Sequence, residues 1–261
     1  MGTFTGHVVP GAFFILFAMW NLIHPCMQPR SSEHIRYISH CHQLKSLLRN
    51  PLFIEGLVKF VVTFAAAVGE LWWGGWKIIN HGRFVSLNNY QHATMYSFFG
   101  LAGLAEMLSV TCIKLRSRQD KLFQATAFFA EGFLFYFHLH ERSAVDVRLH
   151  ILLVLATIGC CVGSALEGLT SSERGQSFFR YVWIVCTFLQ GTWFIQTGFI
   201  LYNPWLSGSS PWAGDELSAL SIVTTVYAWH VLLAILITAF INTVVTRCVQ
   251  RKGFRPKQFS P

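Results

Sequence analysis

Seven stretches of the chain are apolar over a length that matches a lipid bilayer: roughly Val8–Ile23, Leu52–Trp72, Ala93–Ile113, Leu122–His138, Val147–Glu167, Phe178–Leu201 and Leu217–Val245. Hydrocarbon about 30 Å thick takes about 20 residues of α-helix to cross. Polar breaks separate the runs at Pro29–Asn50, His81–Asn89, Arg116–Asp120, Glu141–Asp146, Thr170–Gly175 and Asn203–Asp215. The pattern predicts an all-α membrane protein built as a seven-transmembrane-helix bundle. Five spans, with one hairpin fewer, is the alternative. Residues 1–261 read as a single polytopic membrane domain, with 246–261 as a short basic tail. No repeat or low-complexity tract interrupts it. Met1–Thr5 lacks the basic region and small-residue cleavage site of a signal peptide, so the first span is expected to be retained.

Composition agrees with this reading: 53% of residues are hydrophobic, 12% are charged, and mean hydropathy is +0.44. A formal charge of +8 invites a nucleic-acid reading, which fails once the basic residues are placed. They sit in the breaks and the tail, not on one face, so the expected partner is the lipid bilayer and not nucleic acid. With the N-terminus outside, fifteen Lys and Arg fall on the cytoplasmic side: Arg30, Arg36, Lys45, Arg49, Lys114, Arg116, Arg118, Lys121, Arg174, Arg180, Arg247, Arg251, Lys252, Arg255 and Lys257. Only Lys77, Arg83, Arg142 and Arg148 fall opposite, and Lys59 lies inside a span. The positive-inside bias predicts a non-cytoplasmic N-terminus and a cytoplasmic C-terminus, in a secretory-pathway or plasma membrane. The seven cysteines lie mostly in or beside apolar runs without CxxC spacing, against a disulfide framework or a thiolate zinc finger.

Ionisable side chains inside spans cost at least about 2.5–3.5 kcal/mol each, so by default they face other helices and find partners. This topology sorts them by depth. Glu55, Lys59, Glu167 and Arg180 fall nearest the cytoplasm; Glu55 and Lys59 share an i, i+4 face, and Glu167 and Arg180 flank a short loop. These read as structural ion pairs. Glu106, Glu131, Gln190 and His230 fall near mid-depth, where a polar path for protons is one reading and an interhelical hydrogen-bond network the other. His7, Glu70, His92, His138, His140 and His150 gather at the non-cytoplasmic end, from five helices.

That gathering is the candidate site. Neutral imidazole is a good ligand for zinc, copper or iron, and nearby carboxylates fix its tautomer. The short break before Val147 packs the fourth and fifth spans as antiparallel neighbours, so His138 and His150 can meet there. A metal site of His92, His138 and His150 is expected, binding zinc or another transition metal. Glu131, two turns before His138 on the same face, and His140 lie nearby. The bland reading gives each histidine a hydrogen bond to a neighbouring helix or a place in the polar interface. No HExxH, ExxH pair, GxSxG, P-loop or GxGxxG is present, which favours a non-enzymatic role over catalysis.

Several longer motifs carry a resemblance: GHVVPGAFFILFAMW near the start, QHATMYSFF from Gln91, EGFLFYFHLHERSAVDVRLH from Glu131, LQGTWFIQTGFILYNP from Leu189, and AWH ending at His230. In this order they resemble the transmembrane protein 45 family, and the opening MGTFTGH with the short basic tail resembles its transmembrane epididymal protein branch. The resemblance implies a multi-pass membrane protein of unestablished activity. It also implies that the family's polar positions map here onto His92, Glu131, His138, His140, Asp146, His150, Gln190, Trp193, Gln196 and His230. Glu106, where a relative carries Asp, and the basic tail depart from the family pattern. Three functions compete: a metal or proton site at the histidines, a proton-linked carrier using Glu131, Glu106 and His230, and a non-catalytic trafficking or assembly component with structural polar residues.

Overall fold

Each apolar run is a helix in the computed structural model, which describes residues 3–27, 47–48, 50–111, 118–137, 139, 142–205, 212 and 216–251. Among the described residues the helices are α1 (Phe4–Met27), α2 (Pro51–Trp73), α3 (Leu87–Ser109), α4 (Gln119–Phe137), α5 (Ala144–Leu169), α6 (Glu173–Tyr202) and α7 (Glu216–Arg251). Several begin before or end beyond their apolar stretches because polar end residues close helical turns as readily as apolar ones, whereas α3 stops at Ser109, inside its run. α3 begins six residues before its apolar run, and α7 carries helix through Arg247 to Arg251 of the tail. The protein is an all-α membrane protein. Among the described residues α1, α2, α5, α6 and α7 are long and apolar enough to cross a bilayer. The early polar residues of α3 (Asn88, Asn89, Gln91, His92) and of α4 (Gln119, Asp120, Lys121, Gln124) leave those two helices less apolar.

Contacts divide the chain into two units. The first comprises Ile38–His140 and Thr157–Arg180. Here α2 opens on Asn50, whose side chain accepts from the Leu52 amide at 3.0 Å, with Pro51 following where a missing N–H costs nothing. α2 and α3 meet backbone to backbone. A Cβ added at Gly56 would stand 2.5 Å from the Gly103 carbonyl oxygen, and one at Gly103 would stand 2.7 Å from that of Gly56. Between helices in lipid, where apolar burial gives no hydrophobic gain, such close approach is a main source of association energy. Gly132 of α4 instead faces the Thr157 side chain, whose Oγ1 would stand 2.5 Å from an added Cβ, and Phe99 packs edge-on against Phe128 at 5.3 Å.

The link from α2 to α3 is a β-hairpin, which the apolar pattern does not show. β1 (Ile79–Asn80) pairs antiparallel with β2 (Arg83–Phe84) in the register Ile79↔Phe84 and Asn80↔Arg83. His81 and Gly82, at φ 49° and 74°, make the two-residue turn whose twist suits a hairpin. The Val85 amide donates to Ile78 O at 2.9 Å, and Ser86 Oγ ties the exit to Gly74 O at 3.0 Å.

The second unit comprises residues 2–37, Glu141–Ala156 and Tyr181–Pro261. Its packed centre joins Ala18 and Leu22 of α1, Ala156 of α5, Trp183, Ile184, Phe188 and Leu189 of α6, and Ala234 of α7. α1 crosses α6 at a second glycine contact, where a Cβ at Gly11 would lie 2.7 Å from Gly191 O. α7 buries one stripe, including Ala219, Val223, Ala234 and Thr238, and leaves Leu233, Leu236 and Phe240 exposed as lipid-facing side chains are.

Candidate functional site

In the first unit the glycine seam brings Glu55 and Lys59 of α2 against Glu106 of α3. Lys59 Nζ donates to Glu55 Oε1 at 2.9 Å and to Glu106 Oε1 at 2.5 Å. The sequence reading pairs Lys59 with Glu55 and puts Glu106 deeper; the fold joins all three. Glu106 is 0% exposed, and its Oε2 has no hydrogen-bond partner among the described residues. Removing such charges from water costs several kcal/mol per ion, so each member stabilises the burial of the others.

Two further pairs lie in this unit. Glu70, near the end of α2, accepts from Asn89 Nδ2 at 2.8 Å and lies 3.2 Å from His92 Nδ1, bracing α2 against the first turns of α3. Glu167 Oε1 accepts from Arg180 Nε at 3.1 Å, with Arg118 Nη1 at 4.0 Å, so the loop-flanking pair gains a second cation from ahead of α4. Glu131 is buried on α4. Gln124 Nε2 donates to Ser164 Oγ at 3.0 Å and joins α4 to the end of α5.

In the second unit the imidazoles of His7 and His150 face each other, with ring centroids 6.1 Å apart. Ser143 caps α5, its Oγ accepting from the Asp146 amide at 3.2 Å, and this sets Asp146 in the first turn, where the helix dipole favours an anion. One turn on, His150 Nδ1 lies 2.8 Å from Asp146 Oδ1 and 2.9 Å from Asp146 O. From before the helix Arg142 Nη1 reaches both Asp146 carboxylate oxygens, at 3.0 and 2.9 Å. His7 Nδ1 lies 2.9 Å from Thr3 O, and its ring packs 5.2 Å from that of Tyr202. Both histidines are buried. In each, an Nδ1–H turned toward an oxygen selects the tautomer that carries its lone pair on Nε2, and the Asp146 carboxylate behind His150 fixes the orientation of that ring.

From α7, His230 Nδ1 lies 3.1 Å from Thr192 Oγ1 of α6 and the ring stands edge-on to Trp193 at 5.4 Å. Trp193 is fully buried and donates from Nε1 to Leu149 O at 3.0 Å. Gln190 is fully buried and Gln196 half-buried on the same helix.

His138 and His140 lie outside the described residues. His92 reaches Glu70 and His150 reaches Asp146. Among the described residues, no group of three or more His, Cys, Asp or Glu is arranged to hold a metal ion. The partner that sequence reasoning missed for His150 is His7, which it placed at the same end but left out of the site. The spacing of Arg142, Asp146 and His150, four residues each, carried a usable signal, since at the start of a helix it chains cation, carboxylate and imidazole.

Residues 117–243 match a family of unknown function, DUF716. The chain is 28% identical over 244 residues to transmembrane epididymal protein 1A of Mus musculus, covering 89% of this chain and 77% of the relative. It is 26% identical over 249 residues to transmembrane epididymal protein 1 of Rattus norvegicus, with the same two shares, 89% and 77%. Against the Homo sapiens protein of that name it is 28% identical over 155 residues, 58% of this chain and 54% of the relative. The chain is similar to these transmembrane proteins over most of its length. Within the stretch matched to DUF716 lie Glu131, Asp146, His150, Gln190, Trp193, Gln196 and His230; His7, Lys59, His92 and Glu106 come before it. The relatives' names describe transmembrane proteins, in keeping with a multi-pass integral membrane protein.

Proposed function

We propose that this multi-pass membrane protein crosses the bilayer seven times in a secretory-pathway or plasma membrane, N-terminus non-cytoplasmic and C-terminus cytoplasmic. We further propose that His7 and His150, with Asp146 and Arg142, form a site near the non-cytoplasmic face for an electrophile that takes an imidazole lone pair, a proton or a transition-metal ion. The fifteen-to-four distribution of basic residues supports the direction. The second unit supports the alternation of spans, since the starts of α1 and α5 and the end of α6 share one end through His7, His150 and Tyr202.

One observation carries the site: the His7–His150 ring pair, with Asp146 behind His150 and Arg142 behind Asp146. Arg142 balances Asp146 while the site is empty, and the carboxylate stabilises positive charge arriving on His150. A metal would take the two imidazoles as ligands.

The experiment has two arms. Elemental analysis of the full chain purified without chelator, beside His7→Ala and His150→Ala, reads metal. Proton flux into proteoliposomes under an imposed pH gradient, with the same variants, reads protons. A bound metal or a flux that both variants lose supports the site. Absence of both from correctly folded protein ends it. A second reading, in which the polar residues only hold the bundle, draws on the local closure of Arg142, just before α5, onto Asp146 and of Asp146 onto His150 one turn on. It wins if the variants lower only the yield of folded protein.

A further inference from the structure

The hairpin between α2 and α3 has no core, yet it is apolar. In both two-residue strands every side chain is exposed. Phe84 is 69% exposed and Ile79 55%; just before them stand Trp73 at 84% and Trp76 at 55%. Water disfavours such surface by about 25 cal/mol per Å², and a contiguous patch of this kind marks an interaction site. Nor is the segment a loose loop. The Gly74, Gly75 and Trp76 amides donate back to Glu70, Trp72 and Leu71 at 2.8–3.0 Å, Ser86 closes onto Gly74, and Glu70, Asn89 and His92 brace the base. The exposed side chains are therefore held in place before anything covers them.

Depth and charge identify what covers them. α2 has 23 residues, about 34 Å at 1.5 Å per residue, so it just crosses about 30 Å of hydrocarbon and ends at Trp73. Residues 74–86 then lie at the level of the lipid headgroups, where indole rings settle. No Asp or Glu occurs between Glu70 and Glu106, while the hairpin carries exposed Lys77 and Arg83. These are also two of the four basic residues that the charge rule leaves on the non-cytoplasmic side. A basic, aromatic, acid-free surface at headgroup depth is complementary to phospholipid: phosphates for Lys77 and Arg83, the acyl boundary for the Trp, Ile and Phe side chains.

We propose that the hairpin is a preformed phospholipid-binding clamp, seated in the headgroup layer with Trp73, Trp76, Ile79 and Phe84 at the acyl boundary and Lys77 and Arg83 on phosphates. It requires only that α2 crosses the membrane and is independent of the histidine site.

Hydrogen exchange of the 74–86 amides in the full chain tests it, in three media: dodecyl maltoside micelles, phosphatidylcholine vesicles, and vesicles that also contain phosphatidylserine. Exchange of Phe84 and Val85 should slow from maltoside to phosphatidylcholine, and slow again by about tenfold or more with phosphatidylserine. The double variant Lys77→Gln, Arg83→Gln should lose the phosphatidylserine step while the α3 amides around Gly103 stay protected, which shows that the fold is intact. Exchange equal in all three media, as a protein contact over the hairpin would give, overturns the proposal. A phosphatidylserine step that survives the double variant also overturns it.

Discussion

Lys59 on α2 and Glu106 on α3 are separated by 47 residues in the chain and joined by a hydrogen bond inside the helix pair, with Glu55 as the second acceptor. The three charges form one unit: removing one leaves the others buried and uncompensated, whereas removing all three leaves an apolar seam.

Lys59→Met alone should therefore destabilise the full chain by about 3–5 kcal/mol, read from unfolding in mixed micelles. Adding Glu55→Leu and Glu106→Leu should recover most of that loss, since well-packed apolar side chains replace buried ion groups at little cost. A triple variant no more stable than the single one would show that the cluster does not act as a unit.

The glycine contacts make a sharper prediction. At Gly103 an added methyl meets Gly56 O at 2.7 Å, the Lys59 side chain at 2.9 Å and the Phe60 amide nitrogen at 2.9 Å, and backbone cannot swing aside. Gly103→Ala should cost about 1–3 kcal/mol in the same assay. Gly69→Ala, where the nearest neighbour of an added Cβ is a Trp73 ring atom at 3.9 Å, should cost nothing and serves as the control.

Trp193 separates packing from hydrogen bonding. Trp193→Phe removes the donor to Leu149 O while keeping an aromatic ring, and should cost about 1 kcal/mol. Trp193→Ala opens a cavity in a fully buried place beside Tyr227 and His230, and should cost about 3–5 kcal/mol. Equal losses would mean that the hydrogen bond, not the ring, holds α6 to α5.

Gly82→Ala probes the hairpin alone. With φ at 74° the position admits a side chain only at about 1–2 kcal/mol, so local opening should rise about tenfold. The readout is faster exchange of the Val85 amide, which donates to Ile78 O, with no change at α3.

The helices were legible in the sequence because a bilayer imposes its thickness on apolar length, and all seven runs became helices. Their ends were not, because Leu87–Gln91 and Arg247–Arg251 close helical turns without being apolar. The hairpin escaped notice because its strands are two residues long and its turn is His-Gly, not the Asn-Gly or Asp-Gly that announces one. Glu55 with Lys59 and Glu167 with Arg180 were readable as neighbours on one helix or across a short loop. The bond from Lys59 to Glu106 was not, because depth along separate helices is a coarse coordinate and which faces meet depends on where glycines let backbones touch. The same limit hid His7 from His150: both were sorted to one end, but pairing them takes the crossing of α1 and α6 at Gly11 and Gly191.

Those glycine contacts bear on how this sequence can diverge. Positions in contact ordinarily covary, a larger residue on one side being answered by a smaller one on the other. At Gly56 and Gly103, and at Gly11 and Gly191, each new side chain would strike the opposite carbonyl oxygen, and the opposite residue is already the smallest there is. No compensating partner exists. Among relatives that keep these crossings, the four positions should stay fixed and leave no coevolutionary trace, so that these backbone-to-backbone contacts are ones a search for correlated substitutions would miss.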